Sequence, residues 1–340
     1  MLQISLAQPG QFTAADVAVP ALAAGEALVR VHRIGVCGTD LHAFRGRQPF
    51  FSYPRVLGHE LGVEVVDPGS DAGGPQRGDR CSVEPYLNCG RCIACRRGKP
   101  NCCTELKVLG VHVDGGMRPF LAVPARKLHP SARLSYDQLA LVETLGIGAH
   151  AVERAQLTPE DSVLVIGAGP IGLSVIQFAQ VSGARLSVMD VSAPRLEFCR
   201  RQFGVQHTVV AGAAAREEIL ALGGGDLPTV VIDATGNPQS MTGAFELAAH
   251  GGRIVFVGLF PGDITFADPN FHRRELTLLA SRNALPATFR EIIALIEAGR
   301  IDTGPWITHR FALAETPVRF AAVAADPALL KAMIAVSDPG

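Results

Sequence analysis

Val163-Leu164-Val165-Ile166-Gly167-Ala168-Gly169-Pro170-Ile171-Gly172 is the stretch from which the fold is read. Four apolar residues make a strand, and G-x-G-x-x-G follows where helical periodicity begins. In that context Gly167 gives a tight turn, Gly169 lets a pyrophosphate approach the backbone, and Gly172 allows close helix–strand packing. The phosphate then rests on the helix N-terminus that Pro170 and Ile171 open. A second strand ends in Asp190, 18 positions after Gly172, and a carboxylate there can accept from both hydroxyls of an adenine ribose. A 2′-phosphate beside that carboxylate would be repelled, so NAD is expected over NADP. Arg195, five residues on, either counters such a phosphate or covers the edge of the adenine pocket. Thr235 and the pair Val257-Gly258 close later strands, at the sheet edge where cofactors bind in such folds.

Working outward, the texture from Ser162 alternates apolar strands with helical patterns, the sign of a parallel sheet with crossover helices. Strands are expected at 163–166, 185–190, 230–233 and 253–258, and helices at 170–181, 194–203 and 286–298. The first 150 or so residues differ. They carry short β-rich segments at 27–33, 62–66 and 120–123, with turns at Pro68-Gly69 and Gly73-Gly74-Pro75, and predict a small irregular barrel or sandwich. The fold class is therefore α/β: a doubly wound parallel-sheet domain beside a β-rich one. No internal repeat or low-complexity tract interrupts either.

The 340 residues are enough for about two domains. Lys plus Arg number 31 against 32 Asp plus Glu, so the net charge is −1 and nothing draws the chain to a polyanion; nucleic acid is not an expected partner. Apolar residues make up 48% and charged ones 19%, which is the balance of a folded globular chain. Residues 1–12, MLQISLAQPGQF, show neither a basic nor an apolar leader region, and no apolar run is long enough for a membrane span. A cytoplasmic, reducing location is expected.

Eight cysteines are unevenly placed. Cys89, Cys92, Cys95 and Cys103 give C-x2-C-x2-C-x7-C, compact enough for four thiolates to close on one zinc with no open position, a structural site. Cys102 is one residue from fitting and stands as the spare. A second constellation is Cys37-Gly38-Thr39-Asp40-Leu41-His42 followed by Gly58-His59-Glu60. Taken alone, Cys37 would read as a buried hydrophobe and His59 as a core imidazole. Together with a carboxylate they make three ligands and leave a fourth position for water or substrate, a catalytic zinc.

Gly58-His59-Glu60, the cysteine lobe and the glycine fingerprint, in this order, resemble the zinc-dependent medium-chain alcohol dehydrogenases across nearly the whole chain. The resemblance implies a GroES-like catalytic domain split between residues 1–148 and 282–340, around a Rossmann NAD-binding domain at 149–281. Residues 48–60, 256–260 and 281–284 are similar to the polyol and sugar-acid branch. That likeness implies a secondary hydroxyl of an L-galactonate-like sugar acid or a polyol as substrate, with simple-polyol, secondary-alcohol and threonine oxidation as alternatives. A zinc scaffold without catalysis is the non-enzyme alternative. Cys37 and His59 look like zinc ligands, and either Glu60 or Glu143 completes the sphere, the other option for Glu143 being a hydrogen bond to zinc-bound water. Asp40 resembles the carboxylate that orients a ligand histidine. Thr39 and His42 look like a hydroxyl-to-imidazole proton relay, and Arg282 like a substrate contact, ahead of Arg45 and Arg47. A homo-oligomer, dimer or tetramer, is implied by the family alone.

Overall fold

The computed structural model describes residues 1–49, 51–70 and 73–337. Phe50, within the 48–60 stretch, lies outside the described residues. The chain divides into two compact units: Met1–Thr144 with Leu285–Gly340, and Leu145–Ala284. The first boundary falls inside helix Tyr136–Ala155. Among the described residues, no helix is long and apolar enough to cross a membrane.

Unit 1 is organised by strand Glu26–Val36, long because its apolar residues alternate toward one core. On one side it pairs antiparallel with Glu60–Asp67, and on the other with Lys331–Ala335. Lys331–Ala335 in turn carries Ile307–Ala312 in parallel, so the C-terminal segment completes the sheet begun at the N-terminus. Arg80–Val83 and Leu128–Pro130 extend the other edge, and Phe120–Pro124 also pairs with the central strand. Ile4, Val29, Ile34, Leu61, Val63, Phe320 and Ile334 fill one continuous apolar core. The strands expected at 27–33 and 62–66 both run longer than their apolar runs, to Val36 and from Glu60, because polar and glycine residues at their ends are held in the ladder.

Unit 2 is a six-stranded parallel sheet in the order His207–Val210, Arg185–Asp190, Ser162–Ile166, Val230–Asp233, Arg253–Phe256, Thr277–Ala280. The order reverses beside Ser162–Ile166, which creates a topological switch point at its carboxyl end. Helices Pro170–Ser182 and Ala193–Phe203 end at Gly183 and Gly204, both in the left-handed conformation that glycine adopts freely. The fourth expected strand stops at Phe256, short of Gly258, because the Val257 and Gly258 amides turn back to donate to the Asp233 carbonyl.

Gly172 has no room for a side chain: a Cβ there would lie 1.7 Å from the Gly167 carbonyl oxygen. Overpacking costs reach about 3 kcal/mol, and a backbone oxygen in a tight turn has little freedom to yield. Gly172→Val should therefore lower the stability of unit 2 by at least about 2 kcal/mol, read as a lower urea midpoint. An unchanged midpoint would contradict this packing.

Candidate functional site

Cys37 is the N-cap of helix Gly38–Phe44, and its backbone N–H donates to Asp40 Oδ2 at 3.0 Å. Gly58, at φ +94°, turns the chain so that His59 enters the interior. Glu60 then opens its strand opposite Gly35. One ligand atom each of Cys37, His59 and Glu60 lies within 4.8 Å of the others. His59 and Glu60 are buried and Cys37 is half-buried. His59 Nδ1 faces Asp40 Oδ1 at 3.8 Å and has no hydrogen-bond partner.

Two further charged groups complete this centre. Lys331 Nζ, 2% exposed, donates to both Glu60 oxygens at 2.7 and 2.8 Å. Glu143, also buried, accepts from the Tyr86 hydroxyl at 2.6 Å and is not part of the three-residue set. Burial alone would lower the His59 pKa, but the Cys37 sulfur and the Asp40 carboxylate outweigh it and raise it well above the ordinary value. Burial would raise Glu60, yet the Lys331 charge, then His59, brings it below the usual carboxyl range. Asp40 and Glu143 remain raised, chiefly by burial. Anions outnumber cations here, an arrangement that a divalent cation relieves.

Thr39 and His42 lie three apart on the helix that Cys37 caps, hence on one face. The surroundings of the His42 ring, then Arg45 and Arg47, lower its pKa. Arg45 donates to the Ala324 carbonyl at 2.6 Å and so is committed to the fold.

In the cysteine lobe, ligand atoms of Cys89, Cys92, Cys95 and Cys103 lie within 4.8 Å of one another, while Cys102 is exposed and outside the set. Backbone amides already point at sulfur: Cys89 N–H donates to Cys103 Sγ at 3.3 Å and Cys95 N–H to Cys92 Sγ at 3.5 Å. The Cys95 amide, then that of Thr104, brings Cys92 down to about 5. Such a thiolate is ready for a metal.

In unit 2 the residues read from the glycine motif gather at the carboxyl ends of neighbouring strands. Gly167 sits at φ +98°, with Thr235 Cγ2 3.0 Å from where its Cβ would be. Gly258 packs against the Gly236 backbone, and Arg195 Nη1 reaches 3.8 Å from the Cβ position of Gly169. Asp190 Oδ2 accepts from the Ala168 amide at 2.6 Å and Oδ1 from Ser192 at 2.7 Å, which leaves each oxygen a further lone pair. Arg282, exposed, follows strand Thr277–Ala280. A cavity of about 510 Å³, lined by Ser162, Arg185 and His207, lies at the opposite, amino ends of these strands.

Comparison with known proteins agrees with this arrangement. Residues 23–133 match the alcohol dehydrogenase GroES-like domain and residues 170–298 the zinc-binding dehydrogenase domain. L-galactonate-5-dehydrogenase of Escherichia coli K12 is 41% identical over 312 residues, covering 91% of this chain and 92% of that protein. The chain belongs to the zinc-type alcohol dehydrogenases. D-altritol 5-dehydrogenase of Agrobacterium fabrum C58 is 33% identical over 98% of this chain and 99% of its own. The solved structure of an alcohol dehydrogenase (rspB) from E. coli CFT073, complexed with NADH, superposes with a TM-score of 0.92 at 31% identity, covering 99% of both chains.

As a member of the zinc-type alcohol dehydrogenases, with the polyol and sugar-acid dehydrogenases among its relatives, the chain is an oxidoreductase of the CH–OH group. The residues present fit the metal such an enzyme uses: an imidazole, a sulfur and a carboxylate converge within 4.8 Å in an electronegative centre, and Asp40 faces the ring at Nδ1. Sequence reasoning missed Lys331 and Tyr86. Nothing near either in the sequence signals a site, since their carboxylate partners are 271 and 57 positions away. Missed too was the buried cluster in which Lys127 and His129 both meet Glu84. For the lobe, Cys103→Ser should remove one zinc per chain by elemental analysis, whereas Cys102→Ser should leave the zinc content unchanged. Equal loss in both variants would contradict the assignment of Cys103.

Proposed function

We propose that the protein oxidises a secondary hydroxyl of a sugar acid of the L-galactonate kind, or of a closely related polyol, with transfer of hydride to NAD. The observation that carries this reading is the convergence of Cys37, His59 and Glu60, one ligand atom of each within 4.8 Å of the others. The 41% identity to L-galactonate-5-dehydrogenase supports the substrate class. Cys89, Cys92, Cys95 and Cys103 are read as holding a structural zinc, and Cys37, His59 and a carboxylate as holding a catalytic one.

Zinc at that centre supplies a Lewis acid for the substrate oxygen, and the nicotinamide supplies the hydride acceptor. Asp40, fixed by the Cys37 amide, orients the imidazole of His59. Thr39 Oγ1 takes the hydroxyl proton and passes it to the His42 ring, which opens toward solvent. Gly167, Gly169, Pro170, Ile171 and Gly172 cradle the pyrophosphate. Asp190 holds the adenine ribose, with Arg195, Thr235, Val257 and Gly258 lining the same cradle. Asp190 also favours NAD by repelling a 2′-phosphate. Arg282 is assigned to the substrate carboxylate, where a charge-assisted bond is worth about 1.5–3 kcal/mol. Eight reduced cysteines suit a reducing compartment, and the protein is read as a cytoplasmic homo-oligomer.

NADH absorbance should rise with NAD⁺ and an L-aldonate, and more slowly with polyols, threonine or simple alcohols. Arg282→Ala should raise KM for the aldonate about ten- to a hundredfold and leave the polyol KM near its original value. Equal turnover on threonine and aldonates, or a preference for NADP⁺, would contradict the reading. The relay sets the acid limb of the pH profile. His42 must be neutral to accept a proton, and its pKa lies below the ordinary 6.5. Oxidation should therefore persist at pH 6.5 and fall as the pH drops through that lowered value, and His42→Gln should abolish this limb. A limb retained in the variant would assign it to another group.

A further inference from the structure

The turn that delivers His59 has three consecutive carbonyls taken by one neighbouring segment. The Gly115 amide donates to the Val56 carbonyl at 2.8 Å, Met117 to Leu57 at 3.0 Å and Gly116 to Gly58 at 2.9 Å. Asp114 Oδ1 accepts from the Val56 amide at 3.2 Å and from Arg55 Nη1 at 3.1 Å. The approach is backbone on backbone. A Cβ on Gly115 would lie 2.7 Å from the Leu57 oxygen and closer still to that of Gly58, and one on Gly110 would lie 2.9 Å from the Gly58 nitrogen. Any side chain at 110 or 115 would push the two segments apart.

The gripping segment leaves the stem of the cysteine lobe. Lys107–Val108 pairs with Tyr86–Leu87, the Leu109 amide donates to the Pro85 carbonyl, and the four thiols lie between the two strands in the chain. A two-residue ladder is a weak closure by itself, and three glycines among residues 110–116 leave that segment much conformational freedom. A metal joining Cys89 to Cys103, 14 positions apart, would supply the closure that the ladder lacks. The same stem carries Tyr86, whose hydroxyl donates to Glu143.

On the reading that Cys37 and His59 hold zinc, we infer that the cysteine lobe clasps the His59 turn through Gly110 and Gly115–Met117, so that metal in the lobe strengthens metal binding at the central site. Gly110 and Gly115 are positioning residues: they touch the backbone that carries the imidazole and not the imidazole itself. A ligand already in place binds a metal more tightly than one that must first be ordered. The two metal sites of unit 1 are thereby coupled, each one's affinity depending on whether the other is filled.

Gly115→Ala breaks the clasp and keeps all four cysteines, while Cys103→Ser empties the lobe and keeps the clasp. The central site's Kd for cobalt(II), read by chelator competition from the visible absorption of the bound ion, should rise roughly ten- to a hundredfold in each, the range over which residues behind metal ligands alter affinity. Because both act through one route, the double variant should bind no more weakly than the weaker single one. Should either variant not fold, Asp114→Ala takes the place of the first and Cys103→His that of the second, each expected to raise the same Kd about two- to tenfold, the worth of one hydrogen bond. A wild-type Kd in a folded variant of either kind, or effects that multiply in the double variant, would overturn the inference while leaving the zinc reading intact. One zinc per wild-type chain would overturn the zinc reading itself, and the coupling with it.

Discussion

Asp40, Glu60 and Glu143 are all buried, and they surround one imidazole and one sulfur in the interior of unit 1. Water cannot screen them there, and burial pushes each carboxyl toward its neutral form. The ion pair of Glu60 with Lys331 is what lets this much acid collect without unfolding the sheet. It joins the two strands that sandwich Glu26–Val36, and its cation comes from the C-terminal segment. The return of the chain to its first sheet thus has an electrostatic consequence as well as a packing one. Losing one partner of such a buried pair typically costs about 3–5 kcal/mol.

The same economy governs the rest of the centre. Each acidic group has its own donor: the Cys37 amide for Asp40, the Tyr86 hydroxyl for Glu143, and Lys331 for Glu60. Burial, then the neighbouring Glu143, raises the Tyr86 pKa well above its ordinary value, so the phenol stays protonated and continues to donate. What lacks a partner is a nitrogen of His59. A set of carboxylates each provided with a donor, around one imidazole and a sulfur, is chemically specific in what it invites. The cysteine lobe is built the other way, with amides turned toward sulfur and a thiol held as low as about 5.

What could be read from the sequence was whatever is local. Gly167, Gly169 and Gly172 belong to one turn, so their spacing alone encodes the backbone approach that the structure contains. The cysteine lobe is equally compact, and the spacing that favours Cys103 over Cys102 agrees with the sulfur that lies beside the other three. Gly115 and Lys331 were invisible for the opposite reason. A glycine in a loop and a lysine opening an apolar segment have ordinary explanations one at a time, and their meaning appears only when the fold brings residue 115 against Gly58 and residue 331 against Glu60. Likewise, that Glu60 lies with Cys37 and His59 while Glu143 accepts from Tyr86 is a matter of tertiary contact.

The account rests on unit 1 holding two metal ions of different character. Anomalous diffraction collected across the zinc absorption edge from crystals of the purified protein tests this directly. Two peaks per chain are predicted, one enclosed by Cys89, Cys92, Cys95 and Cys103, the other bounded by Cys37 and His59. A single peak in the cysteine lobe, with density for an ordinary hydrogen-bonded His59, would contradict it.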